Sequence, residues 1–521
     1  MTRHAPALLL CLALAAAGMG FFQKATGAET GAGVMESREI ENDLGDDFAD
    51  EPQDDPGDDL TDGAAGDDLG DDFTDGDDAG DLEGDFDDAQ TAPPPAPEKK
   101  TARGWRGIPG LSGRLKFSSS YHFSQSRPAA GQNDWRGVSA FKLKAFLEFD
   151  RDIFDSRFGP WKAKVSGEGF YDGIYAARGR DEYAGHALET RERGAEIREA
   201  YVQGSLSRRL DVKAGRQIAV WGKSDYIRVT DVLNPVNMRE PGKTDLEDLR
   251  LPALMSRLDF YAGNWSFSGI ALHERRLNQE PAFGSAFYPY AFAPPPEKTA
   301  SHTLTNTEWA LSAGGSFSGK DGAVYYADCY DKNPHLVISS AGAFEKRHAR
   351  VKMIGADFNA AKGSWLFKTE AAFFDGLRFS DRMAAGSVLT LSDRGRSRAD
   401  ILAGAEYSGF TDATVSLETV HRHLIDYDSR LAAGGEKRNR LQTVLNVSRS
   451  FLNERLSASF FASVYGERGQ DGALFRARGE YEITDSVSAS GGVLFYESGD
   501  LFFFQKIGGN DQVFVDLEWR F

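Results

Sequence analysis

The chain ends in a stretch of strict alternation, Asp511-Gln512-Val513-Phe514-Val515-Asp516-Leu517-Glu518-Trp519-Arg520-Phe521. Successive side chains of a strand point to opposite faces. One face would carry Val513, Val515, Leu517, Trp519 and Phe521, and the other Asp516, Glu518 and Arg520. In a soluble protein, an exposed apolar edge of this kind would be an aggregation hazard. The stretch therefore favours a strand that lies in a membrane.

Period-two alternation recurs from Trp105 onward, as in Phe141, Leu143, Ala145, Leu147 and Phe149 against Lys142, Lys144 and Glu148. A soluble sandwich could give the same pattern, so the connections must discriminate. Reading back from Phe521, short turns such as Gly409-Phe410 and Gly263-Asn264 alternate with long links such as Val220 to Arg250. Short turns on one side and long loops on the other are typical of outer-membrane barrels. We predict an all-β transmembrane antiparallel barrel of about eighteen strands over residues 105–521, with both termini in the periplasm.

Tryptophans support the same sidedness, since Trp161, Trp265 and Trp365 each follow a short link and Trp519 lies near the end of the chain. Aromatic girdles mark the membrane interfaces of barrels. The terminal alternation, with phenylalanine as the last residue, resembles the β-signal of outer-membrane barrels. That resemblance implies location in the bacterial outer membrane, with membrane lipid and the barrel-assembly machinery as partners.

The N-terminus reads as an export signal. Arg3 and His4 precede an apolar block, Ala7 to Ala17, and small residues follow at 25–28, which predicts a signal peptide over residues 1–28. Cys11 could indicate a lipoprotein anchor, but the leucine before it is too large for that site. No later run of about 20 apolar residues exists to form a membrane helix. Removal of the signal leaves Cys329 as the sole cysteine, which excludes an intrachain disulfide and cysteine-based metal sites.

Residues 29–104 are predicted to be a disordered, acidic and proline-rich periplasmic leader. Of the net charge of −19, Glu41 to Gln90 supplies 23 acidic residues and no Lys or Arg, which leaves +4 on the rest. Such a segment has too little apolar surface to offset its ordering entropy. Its Asp-Gly pairs could bind divalent cations, but no register matches the spacing of a calcium loop. A solvated acidic tether is the favoured interpretation.

One segment combines unusual motifs: Gly215-Arg216-Gln217, Trp221-Gly222-Lys223-Ser224 and Asn234-Pro235. Together with Arg198 to Val202, it resembles a family of largely uncharacterised proteobacterial outer-membrane barrels marked by Gly-Arg-Gln, Trp-Gly-x-Ser and Asn-Pro. The resemblance extends over about Glu196 to Tyr288. It implies a barrel thought to move organic, often hydrophobic, molecules alongside envelope export systems.

The loop after the fifth strand carries opposed charges, which would create a transverse field if the loop folds into the lumen. A solvated surface loop is the alternative. Inward folding is favoured because Trp221, Ile227, Val232, Leu233 and Met238 need cover. The predicted constriction and permeant residues are Arg216, Gln217, Trp221, Lys223, Asp225, Arg228, Asp231, Asn234 and Arg239.

No pattern supports catalysis. His421 and His423 share a strand face, but no third metal ligand accompanies them, and no Gly-x-Ser-x-Gly elbow occurs. We expect no enzyme activity, metal, cofactor or nucleic-acid partner. The predicted function is a channel or exporter exit barrel for small organic molecules, hydrophobic ones among them; the alternative is a non-conducting display or tethering barrel. A roomy lumen lined by Lys142, Lys144, Glu148, Lys162, Lys164 and Glu168 would favour transport.

Overall fold

The computed structural model describes residues 108–127, 133–290, 292–300, 306–380, 382–385, 388–391 and 393–521. The signal peptide predicted at residues 1–28 and the leader predicted at residues 29–104 lie outside these ranges. None of the helices in the described residues is both long and apolar enough to cross a membrane.

Eighteen strands form one antiparallel sheet. They are β1 (Leu111–His122), β2 (Gly137–Ser156), β3 (Gly159–Asp172), β4 (Arg193–Ser207), β5 (Leu210–Gln217), β6 (Ala253–Ala262), β7 (Trp265–Leu272), β8 (Glu308–Phe317), β9 (Lys320–Tyr330), β10 (Arg350–Lys362), β11 (Trp365–Leu377), β12 (Arg396–Phe410), β13 (Ala413–Leu424), β14 (Asn439–Phe451), β15 (Leu456–Tyr465), β16 (Gly472–Thr484), β17 (Val487–Glu497) and β18 (Gln512–Arg520). Each strand pairs with the next, and β18 pairs with β1 from Arg114 opposite Arg520 to His122 opposite Gln512. The sheet is therefore closed, as predicted.

The connections alternate in length. Those on one side are short, at 157–158, 208–209, 263–264, 318–319, 363–364, 411–412, 452–455 and 485–486. Those on the other side hold two hairpins, His335–Ile338 with Phe344–Arg347 and Arg382–Ala385 with Val388–Leu391, and a 3-10 turn, Arg180–Glu182. The described parts of these connections also hold five short helices: α1 (Ile174–Arg178), α2 (Gly185–Arg191), α3 (Leu246–Leu249), α4 (Ser429–Ala433) and α5 (Phe502–Ile507).

One predicted turn is displaced. The sequence pattern puts it at Gly409-Phe410, whereas β12 continues to Phe410 and the chain turns at Thr411-Asp412. Asp412 has a φ of 56°. Asp is among the residues that tolerate this left-handed conformation best, so the turn falls there rather than at the glycine.

The outward face of the sheet is apolar. On β2, Phe141, Leu143 and Leu147 are each more than half exposed, and Trp265 and Trp365 at the short-turn side are nearly so. Val513, Val515, Leu517 and Trp519 on β18 are 41–60% exposed, whereas Asp516 on the opposite face is buried. An apolar belt with aromatics near one rim suits contact with lipid.

The inward face differs around the barrel. From β6 to β14 it contributes apolar side chains such as Met255, Met353 and Leu402 to one buried cluster. From β16 through β18 to β4 it carries charged side chains that pair across neighbouring strands, as in Lys116 with Asp516 and Lys144 with Glu168. The interior thus has a mostly apolar side, which also holds buried charged residues such as Glu370 and Glu418, and a mostly charged side.

Candidate functional site

Residues 218–252, which join β5 to β6 and are called the lumen loop below, contact inward-facing residues on distant regions of the wall. Near its start, the loop binds Glu370 on β11 and Glu418 on β13. Farther along, it binds Ser120 on β1 and Arg476 on β16. A segment can reach these strands together only from within the closed sheet. The lumen loop therefore lies inside the barrel.

Glu370 holds the first half of the loop. Its Oε1 accepts hydrogen bonds from the backbone N–H of Lys223 and of Ser224, both at 2.6 Å. Its Oε2 accepts from the N–H of Thr230 at 3.2 Å and from the Thr230 hydroxyl at 3.0 Å. Glu370 is buried, so these four bonds replace its hydration.

Glu418 binds the neighbouring residues of the loop in a similar way. Its carboxylate accepts from the Asp225 N–H at 2.9 Å, the Tyr226 N–H at 3.2 Å and the Ser224 hydroxyl at 2.5 Å. The Ser224 hydroxyl in turn accepts from the N–H of Ile227 at 2.9 Å. The serine of the Trp-Gly-x-Ser motif thus joins the loop to the wall.

Gly222 allows this close approach. It has a φ of 87°, and a Cβ there would lie 2.6 Å from both the Glu370 Oε1 and the Thr230 Oγ1. The preceding Trp221 is buried against the Tyr325 ring of β9, with centroids 4.8 Å apart. The motif therefore supplies an apolar anchor, a bend without a side chain and a hydroxyl donor, in that order.

Asn234 fastens the two ends of the loop to each other. Its Oδ1 accepts from the Ala219 N–H at 2.8 Å, and its Nδ2 donates to the Leu251 carbonyl at 2.9 Å and the Gln217 carbonyl at 3.3 Å. The side chain is fully buried. The Asn of the Asn-Pro motif is thus the closing point of the loop.

The charges of the first half are neutralised within packed protein rather than opposed across an open passage. Lys223 pairs with Asp321 of β9, and Asp225 pairs with Lys368 of β11. Asp231 is buried and pairs with Arg250 at 2.9 Å and with Arg228 at 3.2 Å. Buried charges need such partners because desolvation is costly.

Two of the predicted constriction residues lie in the wall instead of the loop. Arg216 is opposite Leu254 in the register, and its guanidinium pairs with Glu274 at 3.1 Å. Gln217, the last residue of β5, donates its amide to the Met255 carbonyl at 3.1 Å. These contacts fix the end of β5 and do not place either side chain beside the other predicted residues.

Residues 239–245, called the latch segment below, lie against the charged side of the barrel. Glu240 pairs with Arg191 of α2, and Lys243 donates to the Ser120 hydroxyl at 2.9 Å. The predicted residue Arg239 belongs here too, since its carbonyl accepts from Arg191 at 3.4 Å.

Two further contacts join the latch segment to the wall. Tyr496 donates to the Pro241 carbonyl at 2.7 Å, and Arg476 donates to the Gly242 carbonyl at 3.2 Å. Burial would raise the pKa of Glu240, but the nearby cations Lys142, Lys243 and Arg191 outweigh it and hold that pKa well below its usual range.

Sequence reasoning identified the loop but missed its wall partners, chiefly Asp321, Tyr325, Glu370, Glu418 and Arg476. Glu370 and Glu418 show one usable signal, which is an acidic residue at an inward position of its strand. The histidine pair His421 and His423 lies with its rings 6.4 Å apart. Within the described residues, no group of three or more His, Cys, Asp or Glu could hold a metal.

The register places the predicted lumen residues Lys142, Lys144, Glu148, Lys162, Lys164 and Glu168 on the inward face of β2 and β3. Lys164 lies 3.2 Å from both Glu148 and Glu199. Lys144 is 36% exposed and Lys116 is 30% exposed. Side chains that point into a closed sheet can be exposed only to the lumen.

A closed eighteen-strand sheet with an apolar exterior, a charged interior and an inward-folded loop defines a β-barrel of the bacterial outer membrane. Residues 139–499 match the model of the family described as "Protein of unknown function (DUF1302)", and the chain belongs to that family. No curated protein matches the sequence.

Three solved structures are similar over most of their length. OccAB4 of Acinetobacter baumannii is 10% identical, with 79% of this chain and 98% of that chain covered and a TM-score of 0.43. The outer membrane protein opdK of Pseudomonas aeruginosa is 9% identical, with 79% and 98% covered and a TM-score of 0.44. A BenF-like porin of Pseudomonas fluorescens Pf-5 is 11% identical, with 79% and 97% covered and a TM-score of 0.44.

Proposed function

We propose that the protein is an outer-membrane channel for small organic molecules, hydrophobic ones among them, in which the lumen loop forms the constriction. The proposal covers a passive channel and the exit barrel of an envelope export system, since both need the same passage. Of the nine residues that the sequence predicts at the constriction, Arg239 lies in the latch segment, and those of the first half would shape the constriction by fixing the loop to the wall.

The observation that carries the proposal is the exposure of paired charges on the inward face of β1 to β4 and β16 to β18. Lys144 and Lys116 are about a third exposed, and Arg478 and Glu480 are 27% and 21% exposed. A packed core would bury such groups completely or exclude them. Water in contact with them offers a path along the charged side of the barrel.

The packing of the loops favours a second candidate, a non-conducting display or tethering barrel. The lumen loop buries Trp221, Ile227 and Leu233 against the apolar side, and α5 buries Phe504 and Ile507 near β16 to β18. If the latch segment closes the remaining path permanently, the barrel would display its loops and conduct nothing.

Single-channel recording of the purified protein in planar bilayers distinguishes the two candidates. We expect discrete conductance steps, and we expect Glu240→Gln with Lys243→Gln to change step size and ion selectivity because these charges border the path. Arg430→Ala with Arg438→Ala, in and after α4, is the matched control and should have little effect. Absence of steps from both the wild type and the latch variant would favour the display barrel.

A further inference from the structure

Four aromatic side chains form a contiguous group at the mouth of the barrel on the long-loop side. Tyr288, Tyr290 and Phe292 belong to the loop between β7 and β8, and Phe502 begins α5. The Tyr290 ring lies 5.7 Å from Tyr288, 5.6 Å from Phe292 and 5.1 Å from Phe502. We call these four residues the aromatic platform.

The platform is open to its surroundings. Phe292 is 63% exposed, and Tyr290 and Phe502 are each 45% exposed. Large exposed apolar groups are uncommon on a polar surface and mark binding sites when they cluster. Three adjacent exposed rings are therefore more than scattered surface residues.

The platform is also held in shape. The Tyr288 hydroxyl donates to the Phe292 carbonyl at 3.0 Å, which joins the residues on the two sides of Tyr290. Burial, with Tyr290 and Glu280 nearby, raises the pKa of Tyr288 to about 12, so this hydroxyl keeps its proton at neutral pH. A preformed surface loses less entropy when a ligand binds.

The platform shares α5 with a buried aromatic cluster of the interior. Phe504 and Ile507 of α5 pack in the cluster that contains Phe287 and Tyr496. The Phe287 and Tyr496 rings lie 5.6 Å apart, and the Tyr496 hydroxyl donates to the Pro241 carbonyl of the latch segment. The helix α5 thus carries both the exposed ring of Phe502 and the buried residues Phe504 and Ile507, and their cluster reaches the lumen loop through the Tyr496 hydroxyl.

We propose that the aromatic platform is a capture site for neutral aromatic molecules at the outer mouth of the channel. This inference rests on the proposed channel function and names the class of molecule that the channel takes up. The rings are uncharged and exposed, although the Lys506 ammonium lies 5.7 Å from the Phe502 ring centroid. Exposed uncharged rings favour flat, uncharged, π-rich ligands. Because the platform and the interior cluster share α5, such a ligand would lie at the start of the path rather than in the lipid.

The test uses N-acetyltryptophanamide, a neutral, water-soluble indole, with the full-length protein in lipid nanodiscs. Binding is measured by saturation-transfer NMR, from the signals of the indole protons. The variant Tyr290→Ser, Phe292→Ser and Phe502→Ser should weaken binding about tenfold or more, because three stacking faces are removed. Ile338→Ser with Phe344→Ser, an exposed cross-strand pair in another long loop, is the matched control and should leave the affinity unchanged.

Equal binding by the platform variant and the wild type would overturn the inference. Lipopolysaccharide that binds the platform in place of the indole would also overturn it, since the occupant would then be a lipid headgroup or saccharide.

A bilayer recording separates this inference from the channel proposal. Loss of indole binding in a barrel without conductance would support the site and contradict the channel. Conductance by the wild type, together with unaltered indole binding by the platform variant, would support the channel and contradict the site.

Discussion

At the scale of single residues, the sequence motifs hold the lumen loop in place because their side chains pair with polar groups of the packed lumen. The side-chain amide of Asn234 pairs with three backbone groups: its NH₂ donates to two carbonyls, and its oxygen accepts from one N–H. An aspartate would lose both donors, and a leucine would leave all three backbone groups unpaired. The Asn-Pro motif therefore requires the amide group of asparagine as well as a side chain of its size.

Asn234→Ala should loosen the lumen loop. Each buried backbone group left unpaired costs about 1–3 kcal/mol, and three groups are affected. We expect faster hydrogen exchange at the Ala219 amide and easier proteolysis within residues 218–252, with the barrel still folded. Asn333→Ala, at an exposed asparagine in another long loop, should alter neither. Unchanged exchange at Ala219 would show that the loop does not depend on this amide.

Gly222→Ala tests the close approach to Glu370. The new Cβ would overlap the carboxylate and require a left-handed φ, which together cost roughly 1–3 kcal/mol or more. We expect the Lys223 and Ser224 amides to lose protection. Gly263→Ala is the matched control, because Gly263 also has a positive φ of 61° but a Cβ there would meet nothing within 4 Å. Equal effects from both changes would point to backbone strain alone.

At the scale of elements, the strands and the loop differ in how far the sequence predicts them. Alternation is local, so β2 and β18 can be read from their own residues, and the loop after β5 from its length. Its partners cannot be read that way, since Ser224 and Glu370 are 146 residues apart and Asp225 and Glu418 are 193 apart. Charge type alone also does not show which of the loop's ionic groups pair inside packed protein.

Glu370→Gln should release the first half of the lumen loop. A glutamine keeps one acceptor but turns an NH₂ group toward N–H donors, which leaves at least one of them unpaired at about 1–3 kcal/mol. We expect noisier single-channel current and greater protease access to residues 223–230. Glu454→Gln, in an exposed turn between β14 and β15, serves as the control. Unchanged noise in the single-channel current of Glu370→Gln would show that packing of Trp221 is enough to hold the first half of the lumen loop.

The negative charge of Glu240 in the latch segment should persist in mild acid. Because the pKa of Glu240 is lowered, its charge persists as pH falls through about 4.3, the usual value for glutamate, and is lost only below that. The difference in conductance between wild type and Glu240→Gln should therefore stay constant from pH 7 to about pH 4, where a glutamate of ordinary pKa would be mostly protonated. Glu247→Gln, exposed in α3 of the same loop, should match the wild type throughout. A difference that is mostly lost by about pH 4 would contradict the lowered pKa.

At the scale of the whole molecule, closure of the sheet depends on its two terminal strands. The pairing of β1 with β18 was only partly predictable: the sequence indicates an even number of strands, but no local pattern specifies which residues meet across the seam. In the structure, the Phe521 N–H donates to the Gly113 carbonyl and the Gly113 N–H donates to the Phe521 carbonyl, both at 2.9 Å. The last residue thus adds two hydrogen bonds to the seam.

Removal of Phe521 should impair assembly of the barrel. It deletes both seam hydrogen bonds and the ring that packs on Gly113, where a Cβ would lie 2.5 Å from that ring. Unpaired backbone groups in a membrane cost several kcal/mol each, so an open seam is strongly disfavoured. We expect less folded protein in the outer membrane and less of the compact form that unboiled barrels show on gels. Phe410→Ala, an exposed aromatic at the same rim, is the control and should assemble normally. Normal assembly without Phe521 would show that closure is set by the other pairs of β1 and β18, and that the terminal residue is not read during insertion.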